Sequence, residues 1–169
     1  MLKAHWVMIV MDQFTRRIIG FGVHAGVADG PAVCRMFNTS MRDANAPRHL
    51  SNDHDPLFEF DRFKANLRIL GVNGVKTVPY VPMSQPFVER LIGTIRREFL
   101  NQVPFWGAQD LENKLLRFRE YYNDQRGHHA LSGVTPRAAS GDPHLKPAHL
   151  HNFRWQTHCR GLYSLPIAT

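Results

Sequence analysis

Two apolar runs, Trp6-Val-Met-Ile-Val-Met11 and Ile18-Ile-Gly-Phe-Gly-Val-His24, flank the polar segment Asp12-Gln-Phe-Thr-Arg-Arg17. Each run has the length and the β-branched and aromatic content of a buried strand. The polar segment is long enough to reverse the chain. This stretch therefore predicts a β-hairpin.

Helical and strand patterns alternate after the hairpin. Asp29-Gly30-Pro31 predicts a helix start, because an Asp cap is followed by a proline suited to the first turn. The same periodicities predict strands over residues 49–53 and 75–80, and helices over 57–70, 87–103 and 109–123. The order β-β-α-β-α-β-α-α indicates an α/β fold with a mixed sheet flanked by helices. Prolines beyond residue 140 suggest a division into a core over 1–140 and an irregular extension over 141–169.

Composition narrows the function. The chain of 169 residues has a net charge of +7 and a pI near 9.9, which favours a polyanionic partner, most simply nucleic acid. Its longest apolar run is far shorter than the ~20 residues of a membrane span, so no membrane partner is expected. The two cysteines form no CxxC pair, which favours a cytoplasmic protein.

Two carboxylates carry the strongest chemical signal. Asp53 ends a predicted strand and Glu89 lies in the first turn of a predicted helix, with 35 residues between them. One helix, one strand and a loop fit in that interval, which brings the two side chains to the same edge of the sheet. Carboxylate pairs there can hold Mg²⁺ or Mn²⁺.

The helix that carries Glu89 has two distinct faces. Its apolar stripe is Val88, Leu91, Ile92, Ile95 and Phe99, and Glu89, Gly93, Arg96 and Arg97 fall on the other side. Gly93 would leave room for a phosphate backbone. On spacing alone, an ordinary solvated charged face is the favoured reading of these residues.

Four ordered segments resemble the integrase core of bacterial insertion-sequence transposases, which are retroviral-integrase-like DDE enzymes with a ribonuclease H-like fold. They are Met11 to Gly20, Ser51 to Phe58, Pro79 to Arg90, and Tyr121 to Leu131 with Thr135-Pro136. The resemblance implies DNA integration and recombination by metal-dependent strand cleavage and strand transfer. It also implies Mg²⁺ or Mn²⁺ as cofactor, element ends and target DNA as partners, a homo-oligomer in the full-length form, and a nucleoid-associated cytoplasmic location.

The resemblance assigns roles to residues at matching positions. Asp53 matches the second Asp of the D,D-35-E triad and Glu89 matches the Glu, so both are expected as catalytic and metal-binding residues. The expected DNA-binding residues are Tyr80, Ser84, Gln85, Arg90, Arg96 and Arg97.

The pattern departs from the family at the first Asp. Asp12 matches the turn after the family's second strand, where such a residue bonds local backbone N–H groups. The first, central strand is therefore expected to be missing. A gap between the hairpin and the Asp53 strand should result, and the chain as given should be inactive. The alternative reading is a non-catalytic remnant that binds DNA or a transposase subunit.

Other polar residues have plainer interpretations. Asp55 precedes Pro56 and is expected in a turn, and His128 and His129 are expected to cap a helix end. The histidines beyond residue 140 and Cys159 lack zinc-site spacing, so zinc is the less favoured reading.

Overall fold

The computed structural model describes residues 4–52, 55–76, 86–141 and 151–169. The strands are β1 (His5–Met11), β2 (Ile18–Ala25), β3 (His49–Asn52), β4 (Asn73–Lys76), β5 (Phe153–His158) and β6 (Tyr163–Ala168). The helices are α1 (Gly30–Ser40), α2 (Asp61–Ile69), α3 (Pro86–Ile95), α4 (Ala108–Asp124) and α5 (Pro136–Ala139). The predicted order of elements up to α4 is confirmed. Residues 77–80 of the strand predicted over 75–80 lie outside the described residues.

The chain divides into two compact units. The first comprises residues 1–11 and 19–112, and the second comprises 12–18 and 113–169. Each unit has buried aromatic residues of its own, Phe37 and Phe63 in the first and Phe118 in the second. The division into a core over 1–140 and an extension over 141–169 stays a prediction.

The predicted hairpin forms as β1 and β2. Asp12 donates its backbone N–H to the Arg17 carbonyl at the turn, and Gly26 donates to the Ala4 carbonyl at the open end, which fixes antiparallel pairing. Helix α1 begins as the sequence predicts, because the Asp29 carboxylate accepts a hydrogen bond from the Ala32 N–H at 2.8 Å.

Helix α1 lies directly on the backbone of β2. A β-carbon built on Gly20 would stand 1.9 Å from the Ser40 carbonyl oxygen, and one on Gly22 would stand 2.1 Å from the Met36 carbonyl oxygen. No side chain fits at either position. The two glycines therefore set the separation between this helix and the hairpin.

The first unit closes its core with α2 and the parallel pair β3–β4. Its buried residues are Val10, Val33, Phe37, Phe63, Leu67 and Val72. The Phe37 and Phe63 rings meet edge to face, with centroids 5.7 Å apart. The helix predicted over 57–70 is split, because Pro56–Phe58 forms a separate 3₁₀ turn before α2 begins at Asp61.

The expected gap in the sheet is present. Within the described residues, β1–β2 and β3–β4 form separate two-stranded sheets. A cavity of about 120 Å³ lies between Met8–Val10 of β1 and Leu50–Asn52 of β3. Phe37, Phe58 and Phe63 also line the cavity, so apolar side chains surround the gap between the two sheets.

The expectation of an irregular extension after residue 140 is wrong for residues 151–169. Strands β5 and β6 pair in antiparallel register there, from Phe153 opposite Ala168 to His158 opposite Tyr163. The turn is made by Cys159, Arg160 and Gly161, all with positive φ of 52°, 59° and 87°. A left-handed glycine followed by a new apolar run is a hairpin signal that the prolines obscured.

The close approach at Gly22 is directly testable. Gly22→Ala should lower the free energy of unfolding by about 2 kcal/mol or more, because the methyl group meets backbone that cannot move alone. Urea denaturation measures the change. The matched control is Gly74→Ala, a strand position where a β-carbon meets only the Leu67 side chain at 3.9 Å, and its effect should be near zero. Equal losses for both variants would contradict the role given to Gly22.

Candidate active site

Glu89 lies in the first turn of α3, which begins at Pro86. Its side chain is exposed, as is that of Arg90 beside it. Leu91 and Ile95 on the other side of the helix are each only 2% exposed, so the predicted apolar stripe is confirmed. A carboxylate in a first helical turn is also favoured by the helix dipole.

Helix α3 continues into a π-helical turn over Arg96–Leu100. The Asn101 N–H donates to the Arg96 carbonyl at 3.0 Å, five residues back. Arg96 and Arg97 are exposed, whereas Phe99 is buried, so the turn keeps both cations in solvent and the aromatic ring in the core. Single π turns inside helices are frequent at functional sites.

Gly93 lies beside the Arg97 side chain. A β-carbon at this position would lie 3.4 Å from an Arg97 guanidinium nitrogen. The Arg97 side chain therefore folds back along the helix past Gly93, toward the side of α3 that carries Glu89. That Gly93 leaves room for a phosphate backbone stays a prediction.

The other expected site residues lie outside the described residues. They are Asp53, Tyr80, Ser84 and Gln85. Strand β3 ends at Asn52, immediately before Asp53. The pairing of Asp53 with Glu89 stays a prediction. Across the parts of the chain that the structure describes, no three His, Cys, Asp or Glu side chains form a metal-binding group.

Asp12 has the turn role that the sequence predicts. Its carboxylate accepts hydrogen bonds from the Phe14 N–H at 2.9 Å and from the Thr15 hydroxyl at 2.7 Å. Asp55 likewise accepts from the Leu57 N–H at 2.9 Å, ahead of the 3₁₀ turn. Both carboxylates are used locally, so neither offers a free ligand.

Asn123 has a role that sequence reasoning missed. Its side-chain oxygen accepts from the Ile18 N–H at 2.9 Å, and its side-chain nitrogen donates to the Ile18 carbonyl at 2.8 Å. The residue is 5% exposed. The amide thus satisfies both backbone groups of one residue, 105 positions away in the sequence. Its position directly after Tyr121 and Tyr122 in α4 was the available signal.

The residues after Asn123 form a self-contained loop in the second unit. The Arg137 guanidinium bonds the Asp124 carboxylate at 2.6 Å, and Thr135 caps α5. The His128 ring meets the Tyr122 ring at 4.5 Å between centroids, with the Arg126 guanidinium 5.7 Å from that tyrosine ring. His128 lies beyond the end of α4 at Asp124, so the expectation that it caps the helix is wrong.

Cys159 is a structural thiol. It is 5% exposed in the turn of the second hairpin. Burial, followed by the nearby Glu120 carboxylate, raises the pKa of Cys159 to about 11. The thiol is therefore neutral at physiological pH.

Comparison with known proteins finds a family model and several relatives that are similar to this chain. A family model described as the integrase core domain matches residues 70–136. The insertion element IS476 uncharacterized 39.2 kDa protein of Xanthomonas euvesicatoria is 26% identical over 129 residues, which cover 76% of this chain and 37% of that protein. The transposase for insertion sequence element IS904 of Lactococcus lactis is 20% identical over 139 residues, covering 78% of this chain and 53% of that one. The chain spans about half or less of the length of these relatives.

Solved structures give the fold. The catalytic core domain of BIV integrase superposes with a TM-score of 0.58 at 19% identity, covering 80% of this chain and 88% of that one. The HTLV-2 integrase catalytic core domain in complex with magnesium superposes with a TM-score of 0.57 at 17% identity, covering 81% of this chain and 90% of that one. A chain of the simian T-cell lymphotropic virus intasome superposes with a TM-score of 0.62 at 17% identity, covering 99% of this chain and 64% of that one.

The architecture is thus that of a retroviral-type integrase catalytic core, a ribonuclease H-like fold. The matched core model and the insertion-sequence relatives narrow the class further. Over these residues the chain is similar to the integrase core domain and to proteins of bacterial insertion elements.

The Asn123 amide yields a stability prediction. Asn123→Ala should lower the free energy of unfolding by about 2–3 kcal/mol, because the Ile18 N–H and carbonyl lose their buried partners. Chemical denaturation measures the loss. Asn66→Ala is the matched control, since Asn66 also makes amide hydrogen bonds, to Asn38, but in solvent. Its effect should stay within about 0.5 kcal/mol. A similarly small loss at Asn123 would show that the clamp contributes little.

Proposed function

We propose that this chain acts on DNA in transposition, as the integrase core that carries the strand-cleavage and strand-transfer site. The observation that supports this most is the exposed face of α3 and its π turn. Glu89, Arg90, Arg96 and Arg97 are all in solvent there, while Leu91, Ile95 and Phe99 anchor the opposite side. Guanidinium groups recognise phosphate oxygens and position a nucleic acid without reading its sequence.

Asp53 and Glu89 are the residues proposed to hold a divalent ion, Mg²⁺ or Mn²⁺. Carboxylate oxygens suit such hard ions, and a neighbouring fold, the HTLV-2 integrase core, is in complex with magnesium. Glu89 is solvent-exposed, as a ligand that must meet DNA requires. The ion when bound would polarise a phosphodiester oxygen. The protein's own share is to fix the carboxylates on secondary-structure ends and to hold the backbone through Arg96 and Arg97. Tyr80, Ser84 and Gln85 belong to the same proposed DNA surface.

Catalysis by the chain as it stands is proposed to be weak or absent. The family site uses three carboxylates, and Asp12 is engaged by Phe14 and Thr15 in a turn. Only Asp53 and Glu89 then remain at matching positions.

A second candidate function follows from the same observation, namely a non-catalytic module that binds DNA or a transposase subunit. The proposed partners are element ends and target DNA, a homo-oligomer is proposed for the longer protein, and the proposed location is the bacterial cytoplasm at the nucleoid. No helix among the described residues is long and apolar enough to cross a membrane.

DNA binding is the first measurement. Fluorescence anisotropy with a blunt duplex should show binding that weakens steeply as salt is raised. The double variant Arg96→Ala/Arg97→Ala should bind less tightly, and the slope of log K against log salt should fall by about two. Arg35→Ala/Arg42→Ala, which removes two cations from the α1 region, is the control and should change little. Duplex binding that is insensitive to both pairs would contradict the surface assigned here.

Strand joining separates the two candidate functions. Purified protein is incubated with labelled DNA ends, target plasmid and Mn²⁺. If joined product forms, Glu89→Gln should reduce it by at least about 100-fold, whereas Glu112→Gln on α4 should leave it intact. If the wild-type chain binds DNA and joins none, the non-catalytic module is the function of this chain.

A further inference from the structure

The outer face of the β5–β6 hairpin is an exposed aromatic surface. Alternation along the strands places Phe153, Trp155 and Thr157 on one face, together with Ser164 and Pro166. Trp155 lies opposite Pro166, and its side chain is 65% exposed. The Phe153 ring supports it edge to face, with centroids 5.5 Å apart. A large ring is thus held in a fixed orientation in solvent.

The opposite face of the hairpin is packed within the second unit. The Tyr163 ring stacks on the Tyr121 ring of α4, with centroids 4.1 Å apart and planes 2° from parallel. The His158 ring also lies near the Tyr121 ring, with centroids 6.0 Å apart. This stacking anchors the hairpin, so the exposure of Trp155 belongs to an ordered element.

The charge of this region selects the partner. Residues 143–169 contain no Asp or Glu, whereas the hairpin itself contains Arg154 and Arg160, both exposed, with His151 just before it. Arg160 lies at the turn, held there by the left-handed backbone of Cys159 to Gly161. An exposed indole in a segment with only positive charge suits a polyanion that carries flat rings. A protein partner would be expected to meet a more mixed surface.

From this surface we infer a second nucleic-acid contact, in which an unpaired DNA base stacks on Trp155 while Arg160, at the turn of the same hairpin, attracts phosphates of that strand. A base inside a duplex already has both faces covered by its neighbours, so a solvent-exposed ring such as that of Trp155 favours single-stranded or frayed DNA. This inference rests on the proposed DNA function and adds to it a contact of different chemistry from the arginines of α3. It would let the chain distinguish a DNA end with an overhang from continuous duplex.

The test compares two labelled DNA probes with the full chain, a duplex with a five-nucleotide 3′ overhang and the same duplex with blunt ends. Trp155→Ala should weaken binding of the overhang probe by roughly 5- to 100-fold and change blunt-duplex binding less than about two-fold. Trp155→Phe retains a ring and should stay within a few-fold of wild type. Trp106→Ala is the matched control, because Trp106 is 90% exposed in the first unit and should not matter. Circular dichroism confirms that each variant is folded.

The outcomes separate this inference from the proposed function. Equal affinities of Trp155→Ala and wild type for the overhang probe would overturn the stacking contact, even if the α3 arginines still govern duplex binding. A Trp155→Ala protein with unchanged DNA binding but altered mass in light scattering would show that the face joins copies of the chain instead. Failure of the wild-type chain to bind either probe would overturn both proposals together.

Discussion

The first unit depends on the backbone contact between β2 and α1. Gly20 and Gly22 are two residues apart, so both face the helix, and a β-carbon on either would overlap a main-chain carbonyl of α1. Val33 and Phe37 of the same helix pack with Phe63 of α2. The core that holds β3, and hence the chain leading to Asp53, is built on this spacing.

Much of this arrangement is predictable from the sequence because it follows from local rules. Apolar runs of strand length, the Asp29 cap and the stripe around Leu91 each depend on neighbours in the chain, and each is confirmed. The errors arise where a local signal competes with packing. The 3₁₀ turn over Pro56–Phe58 separates the start of a continuous helical pattern from α2. The hairpin over 153–168 is stabilised by Tyr163 stacking on Tyr121, a contact between distant residues. No periodicity reports such a contact.

The candidate site was predictable in part for a different reason. Glu89 and the arginines could be named because their spacing matches a family, and their exposure fits a surface role. The segment around Asn123 belongs to the same resemblance, yet its contacts are internal. Asn123 holds Ile18, Arg137 holds Asp124, and His128 packs on Tyr122. A matched motif therefore mixes exposed residues proposed to face DNA with residues that maintain the fold, and burial and partners distinguish them.

The two surfaces proposed to meet DNA share one physical arrangement. On α3 and its π turn, exposed arginines are backed by buried Leu91, Ile95 and Phe99. On the second hairpin, exposed Trp155 is backed by Tyr163 stacked on Tyr121. In each case packing on one face fixes the backbone, which lowers the entropy lost when the other face binds. Their chemistry differs, because guanidinium groups respond to backbone charge and an indole responds to an accessible base. The two proposed contacts therefore respond to different features of the same nucleic acid.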